Sequence, residues 1–342
     1  MRQEVVIIGA GGWGTALAVL LARKGMQVSL WGRNRELMED IAERRENVRY
    51  LPGISLPEGI TPISGDRLDT EGCCGVILAV PSQGLRSLVR RFREPLAEPL
   101  LINGAKGLEQ GSLLRLSQVI AEEIPEQRGR VAVLSGPNHA EEVGRGLPAA
   151  SVIACEDQDI AVEARDLLMA PWFRVYTNAD LVGVELAGAL KNVIALAVGI
   201  ADGLGLGDNA KAAIITRGMV EMARLGVRMG ASPLTFTGLS GVGDLFGTCV
   251  SKYSRNAWAG RLLGGGRSLE EVLASTNMVV EGIPTVVAAV ELARKQGVEM
   301  PIASKVYDIL FRGERPEDGV AALMQRGAKC ELDDLMPFID PV

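Results

Sequence analysis

The spacing of apolar positions changes partway along the chain. Up to about residue 178, short β-branched and apolar runs recur at Val5–Ile8, Gln27–Trp31, Gly75–Val80, Pro99–Asn103, Val131–Leu134, Ala150–Ala154 and Phe173–Tyr176. Each has the length of a buried strand, and helical stretches separate several of them. This alternation predicts an α/β domain built on a doubly wound sheet. From about Asn178 helical spacing takes over. Residues 185–200, ELAGALKNVIALAVGI, read as a helix that is apolar on nearly every face. A second helix, capped by Asp208 or Asn209, repeats Ile215, Met219, Met222 and Gly226 at helical spacing, the methionines reading as core. No low-complexity linker intervenes, so the boundary is expected where a helix begins. The expected domains are 1–178, an α/β unit on a doubly wound sheet, and 179–342, an all-α unit.

The first strand runs directly into Gly9-Ala10-Gly11-Gly12-Trp13-Gly14. A helix over Thr15–Lys24 follows, closed by Gly25, and then comes the second strand. Strand, G-x-G-x-x-G, helix and strand in this order form a dinucleotide cradle. The glycines Gly9, Gly11 and Gly14 permit a tight turn, approach of a pyrophosphate and close helix–strand packing, and the helix N-terminus offers N–H donors to the phosphates. Where many such folds place an acidic residue after the second strand, this chain has Gly32-Arg33-Asn34-Arg35. A guanidinium there pairs with a 2′-phosphate, so NADP is expected to be accepted beside NAD. The alternative is that Arg33 stacks on adenine or faces solvent.

Lys191 is the one lysine in the apolar stretch 185–200. A buried ammonium needs an anion, water or a ligand, and burial lowers its pKa toward values useful for proton transfer. Taken alone, a stem that snorkels to the surface explains it as well. Other candidates sit on loops. Lys106 lies on the Gly-rich loop after the Pro99–Asn103 strand, and Gly136 and Asn138 follow the Val131–Leu134 strand, where open α/β sheets bind ligands. The glycines of Gly238–Gly247 allow a tight fold that carries Asp244 into a cleft. Ser254-Arg255-Asn256 supplies a hydroxyl, a forked cation and an amide suited to a phosphate or carboxylate.

Composition narrows the classes. The 342 residues are 47% hydrophobic, enough for two large cores. A net charge of −6 argues against nucleic acid as the main partner. Five scattered cysteines with no CxxC pair make neither a zinc set nor a disulfide framework, so a reducing cytoplasm is expected. The single histidine, His139, excludes a histidine-cluster metal site and reads as structural. The chain starts without a charged n-region and long apolar run, so no secretory leader is expected. The run Leu186–Ile200 is short for a membrane span and holds Lys191 and Asn192, so no span is expected.

The residues GAGGWGTALA at 9–18, NGAKGLE at 103–109, LSGPNHAEEV at 134–143, VELAGALKNVIALAVGIADGLGLGDNAKAAIITRGMVEM at 184–222, GLSGVGDLFGTC at 238–249, YSRNAWAG at 253–260 and VVEGIPT at 279–285 resemble the bacterial NAD(P)-dependent glycerol-3-phosphate dehydrogenases over essentially the whole chain. The resemblance implies a Rossmann-type domain followed by a helical domain with the active site between them. It implies reversible reduction of dihydroxyacetone phosphate to sn-glycerol 3-phosphate for glycerophospholipid synthesis. It makes Lys191 the proton-transfer residue, with Asp244 orienting Lys191 or holding the substrate hydroxyl and Lys106 adding positive charge near the reacting oxygen. Substrate contacts would fall on Lys106, Gly136, Asn138, Lys191, Asp244, Ser254, Arg255 and Asn256. Cofactor contacts would fall on Gly12, Trp13, Arg33, Lys106, Ala140, Arg255, Val279 and Glu281. Asn138 departs from the family's usual Ser or Thr. No metal is implied, and a homodimer is left open. Two other readings fit parts of the pattern: a β-hydroxyacid dehydrogenase of the same architecture, which SRN and GVGD disfavour, and a non-catalytic dinucleotide-sensing module, which would not need Lys191, Asp244 and Arg255.

Overall fold

The structure is a computed structural model that describes residues 4–328, 330 and 331. The end of the expected helical domain, 332–342, and position 329 lie outside the described residues. The chain falls into two compact units. One comprises the residues up to Ala105 with Leu116–Leu181, and the other comprises Lys106–Arg115 with the residues from Val182 onward. The change of unit at 181/182 lies inside the first turn of a helix. The 106–115 excursion has no counterpart in the hydrophobic pattern.

The sheet unit holds eight strands: β1 (Glu4–Ile8), β2 (Gln27–Trp31), β3 (Ile60–Ile63), β4 (Gly75–Leu78), β5 (Leu101–Asn103), β6 (Ala132–Ser135), β7 (Ala149–Ala154) and β8 (Phe173–Asn178). Their order is β3-β2-β1-β4-β5-β6-β7-β8. The first six are parallel, in the doubly wound order of dinucleotide-binding sheets. β7 runs antiparallel to β6, and β8 is parallel to β7. Alternate residues of β1 serve opposite faces. Val5 and Ile7 join the core formed with the helix Gly12–Arg23, while Val6 and Ile8 join the core formed with the helices Leu85–Arg91 and Leu116–Glu123.

Two local differences from the sequence reading have physical causes. The β3 strand, ITPI, is short and carries Pro62, which argues against a strand except at a sheet edge, and the edge is where it lies. The first helix starts at Gly12 rather than Thr15. A side chain at Gly14 would place its Cβ 1.9 Å from the Gly9 carbonyl oxygen, so the glycines let the helix begin directly against the strand end.

The helical unit contains no named strand among the described residues. Its central helix, Leu181–Gly203, is 23 residues long and buried at every position from Gly183 to Ala201. By length and composition it could cross a membrane, so the argument that this run is too short does not hold. Its apolar surface is instead covered by this unit's own helices, through Met222, Leu245, Leu263 and Val286 among others. The helix Arg255–Gly264 lies against it with backbone in contact. A Cβ on Gly199 would stand 2.3 Å from the Ala257 carbonyl oxygen, and one on Gly260 would stand 2.3 Å from that of Leu196. This glycine seam brings the first turn of Arg255–Gly264 alongside Asn192.

In a helix, Ala normally stabilises relative to Gly by about 1 kcal/mol. Gly199→Ala is expected to reverse that sign, lowering stability by about 1–3 kcal/mol through overpacking. The measurement is the urea midpoint of the purified variant, and a midpoint equal to or above wild type contradicts the seam.

Candidate active site

In the helical unit, one carboxylate organises the chemistry. Asp244 stands at the first residue of the helix Asp244–Val250, after a wide π-type turn over Leu239–Gly243. That turn is possible because Gly241 lies on the Phe236 backbone, where a Cβ would approach the carbonyl oxygen to 2.0 Å. Asp244 is 2% exposed. Its Oδ1 accepts a hydrogen bond from Lys191 Nζ at 2.5 Å, and its Oδ2 accepts one from Lys106 Nζ at 2.6 Å. Lys191 also donates to Thr248 Oγ1 at 2.7 Å. Thr248 is four residues after Asp244, hence on the same helix face.

Lys191 is 7% exposed and does not snorkel. Burial pushes its ammonium down to about 8, against the attraction of Asp244 and with help from the Lys106 charge. For Asp244, burial alone would raise the pKa, but Lys106 and Lys191 together hold it below the ordinary carboxylate value. Next to them, burial pushes the Cys249 thiol up to about 12, leaving it an un-ionised neighbour. Two of the three hydrogens on Lys191 Nζ are engaged, and the third has no partner among the described residues.

Ser254, Arg255 and Asn256 open the helix Arg255–Gly264 beside this cluster. The Ser254 hydroxyl caps that helix by accepting from the Ala257 N–H at 3.2 Å. Asn256 braces the packing: its Nδ2 donates to Asn192 Oδ1 at 2.9 Å, and its Oδ1 accepts from the Gly282 N–H at 2.9 Å. Half of the hydrogen-bonding capacity of this amide is thus spent inside the fold, which leaves one N–H and one lone pair for the anion expected from the sequence. Arg255 is exposed, and its Nη1 donates to the Val279 carbonyl at 2.9 Å. This joins Arg255 to the segment Val279–Glu281 that precedes the helix Gly282–Gln296.

The sheet unit carries the glycine cradle. Gly9 adopts φ +121°, and a Cβ there would lie 2.4 Å from the Ala79 carbonyl oxygen at the end of β4. The cradle therefore sits at the carboxyl ends of β1 and β4, where the strand order reverses. A Cβ on Gly11 would meet nothing within 4 Å, so this side of the turn is open. The first amides of Gly12–Arg23 emerge there with no side-chain cap and no acidic residue in the first turn. An open backbone surface at a bare helix N-terminus fits a pyrophosphate. A Cβ on Gly12 would lie 3.7 Å from Ala140 Cβ and 2.8 Å from the Tyr50 carbonyl, and one on Gly104 would lie 3.0 Å from Trp13 Nε1. Arg33 is exposed beyond β2 and makes no ion pair or hydrogen bond among the described residues, whereas Arg35 pairs with Glu39. Asn138 braces its own loop. Its Nδ2 donates to the Ala150 carbonyl at 3.0 Å and its Oδ1 accepts from the Ser151 hydroxyl at 2.9 Å, beside Gly136 at φ +134°.

The sequence reading assigned no role to Thr248 or Asn192, although the spacing from Asp244 flags the first. It also passed over Asn47, which is fully buried and donates to the Ala10 carbonyl at 3.0 Å and to Thr15 Oγ1 at 2.8 Å, pinning the cradle.

Known proteins match the chain along its length. Residues 4–161 fit the N-terminal family model, and residues 180–321 the C-terminal family model, of NAD-dependent glycerol-3-phosphate dehydrogenase. The glycerol-3-phosphate dehydrogenase [NAD(P)+] of Moorella thermoacetica is 53% identical over 334 residues, covering 97% of this chain and 99% of that one. Its counterpart in Bacillus cereus is 52% identical over 332 residues, covering 96% and 98%. The crystal structure of glycerol-3-phosphate dehydrogenase from Coxiella burnetii superposes with a TM-score of 0.90 at 38% identity, covering 95% of this chain and 99% of that one.

The depressed Lys191 pKa has a definite signature in stability. An ammonium at about 8 in the fold and near 10.5 in the unfolded chain penalises the fold below pH 8, and the penalty is relieved as pH rises toward 10.5. Melting midpoints of wild type and Lys191→Met, compared at about pH 7 and about pH 9.5, are expected to differ more in favour of wild type at the higher pH. A difference that does not change with pH contradicts the depressed value.

Proposed function

Since the chain belongs to the NAD-dependent glycerol-3-phosphate dehydrogenase family, we propose that Lys191 is its acid–base residue, oriented by Asp244 and Thr248, with Lys106 as electrostatic partner. The protein is an NAD(P)-dependent oxidoreductase acting on a CH–OH group, and it interconverts dihydroxyacetone phosphate and sn-glycerol 3-phosphate. The product is the backbone of glycerophospholipids. The observation that carries the residue assignment is the single buried carboxylate shared by two ammonium groups.

When bound, the coenzyme would supply the hydride chemistry, NAD(P)H giving a hydride to the substrate carbonyl carbon in reduction and NAD(P)+ taking it from the CH–OH carbon in oxidation. In the reductive direction Lys191, as ammonium, gives the proton of its third N–H to the oxygen that gains charge. Its pKa of about 8 keeps it mostly protonated at neutral pH yet able to release that proton. In the oxidative direction the neutral amine takes the hydroxyl proton. Asp244 and Thr248 fix the direction of Nζ, and Lys106 adds a second positive charge for the developing alkoxide. The cluster of two ammoniums and one carboxylate carries a net positive charge, which suits an anionic substrate. The substrate phosphate is held at the N-terminus of Arg255–Gly264, by Ser254, by the Arg255 fork and by the Asn256 backbone N–H. Asn138 and Gly136 shape the loop after β6. The cradle of Gly9, Gly11, Gly12, Trp13 and Gly14 would hold the coenzyme phosphates, with Arg33 for an adenosine 2′-phosphate. Ala140, Arg255, Val279 and Glu281 would be further coenzyme contacts. Five free cysteines fit a reducing cytoplasm as the working compartment.

The test is initial-rate kinetics with dihydroxyacetone phosphate and with β-hydroxy acids, using NADH and NADPH in parallel. Rapid turnover of the phosphate ester alone is expected. Lys191→Met keeps the stem and the packing, and its kcat is expected to fall by about 10²–10⁴-fold, with NADPH affinity by fluorescence titration unchanged. A folded variant within a few-fold of wild type removes Lys191 from the role. Arg33→Ala is expected to weaken NADPH by about 1.5–3 kcal/mol, the strength of a charge-assisted hydrogen bond, and NADH far less. Equal losses for both coenzymes mean that Arg33 does not read the 2′-phosphate.

A further inference from the structure

The segment Lys106–Arg115 belongs to the helical unit although both its chain neighbours belong to the sheet unit. It folds back on itself. Leu108 pairs with Arg115 in an antiparallel bridge, the Glu109 N–H donates to the Leu114 carbonyl at 3.1 Å, and Leu113 turns the chain at φ +63°. Leu108 and Leu113 are buried in the core that contains Leu186 and Leu190. At the stem, Arg115 Nη1 donates to Glu185 Oε2 in an ion pair whose two residues are each 8% exposed. Glu185 lies on the helix Leu181–Gly203, which also carries Lys191.

We propose that Arg115 and Glu185 are positioning residues of the reaction: their buried ion pair sets the stem from which Lys106 reaches Asp244. The inference rests on the roles given above to Lys106, Asp244 and Lys191. Anchorage alone does not require charge. Leu108 and Leu113 already supply apolar attachment, and a buried ion pair commonly contributes no more stability than a packed apolar pair of similar volume. What a guanidinium–carboxylate contact adds is direction. The bridge sets Arg115 opposite Leu108, two residues from Lys106, so a rotation of the stem moves the Lys106 backbone with it. Glu185 refers that stem to the same rigid helix that holds Lys191. Both ammonium groups that share Asp244 are therefore measured from one element.

Displacing Lys106 has a consequence that simple loosening of the fold does not. Lys191 is faced by Asp244, Thr248 and Cys249 from one helix and by Lys106 from this segment. Withdrawing the Lys106 charge leaves Asp244 to Lys191 alone and raises the Lys191 pKa. Reduction of dihydroxyacetone phosphate needs Lys191 protonated, so its rate falls above that pKa. Its alkaline limb then moves to higher pH.

The experiment is a pH–rate profile for Arg115→Met/Glu185→Leu, which replaces the pair by apolar groups, with Lys106→Met as a reference. The double variant is expected to fold, to titrate NADPH normally, to lose kcat by about ten- to a hundredfold, as misplacement of a catalytic group does, and to show the alkaline limb displaced upward. Arg115→Lys, which keeps charge but not the fork, is expected to show a smaller loss in the same direction, and it carries the test if the double variant does not fold. Wild-type kcat in the folded double variant, or a lower kcat with the alkaline limb in place, overturns the inference while Lys106→Met remains impaired. Wild-type kcat in Lys106→Met instead overturns the role of Lys106 itself.

Discussion

A carboxylate shut away from water between two ammonium groups is the constraint around which the helical unit is arranged. Asp244 offers one oxygen to each lysine. Lys191 cannot be removed from water at this depth without it, and without the two lysines the carboxylate would itself be driven toward protonation. The three groups arrive from three parts of the chain: a loop that follows β5, the core helix, and a helix reached through a wide glycine turn. Each must be placed to within hydrogen-bond distance. The backbone contact at Gly241 serves that placement, because it closes the turn from which Asp244 emerges.

The core helix shows how few polar residues are needed to specify its surroundings. From Gly183 to Ala201 it presents apolar side chains that accept many neighbours, and three polar ones that do not. Glu185 requires Arg115, Lys191 requires Asp244 and Thr248, and Asn192 requires Asn256. Each partner belongs to a different segment. The apolar surface supplies attraction in every direction, and the three polar residues select which segment lies where. Along the Arg255–Gly264 side, glycines remove the side-chain layer so that the Asn192–Asn256 bond can form at close helix separation.

Much of this was legible in the chain itself, and the parts that were not share a cause. Period-two and period-3.6 patterns report on neighbours close in sequence, so the strands, the cradle helix and the core helix could be read directly. A lone lysine in an apolar stretch signals a buried site because its desolvation must be balanced somewhere. The partners that balance it lie far away in sequence: Asp244 is 53 positions from Lys191 and 138 from Lys106. No local pattern gives that pairing. The same limit hid the Arg115–Glu185 contact and the use of Asn256 and Asn138 as braces, because an amide looks alike whether it faces a ligand or a neighbouring backbone. The edge strand Ile60–Ile63 was hidden for another reason: proline at position 62 masks a strand by the same property that suits it to an edge.

The excursion of residues 106–115 bears on how the protein can be divided. Judged by sequence similarity, the chain parts into two blocks, 4–161 and 180–321, which invites expression of the second as an independent module. Such a module would lack Leu108 and Leu113 from its core. It would lack the Arg115 guanidinium that pairs with Glu185, and it would leave Asp244 with one ammonium in place of two. The boundary seen in linear sequence is therefore not a boundary of physical self-sufficiency: the helical half carries a part that is encoded inside the other half.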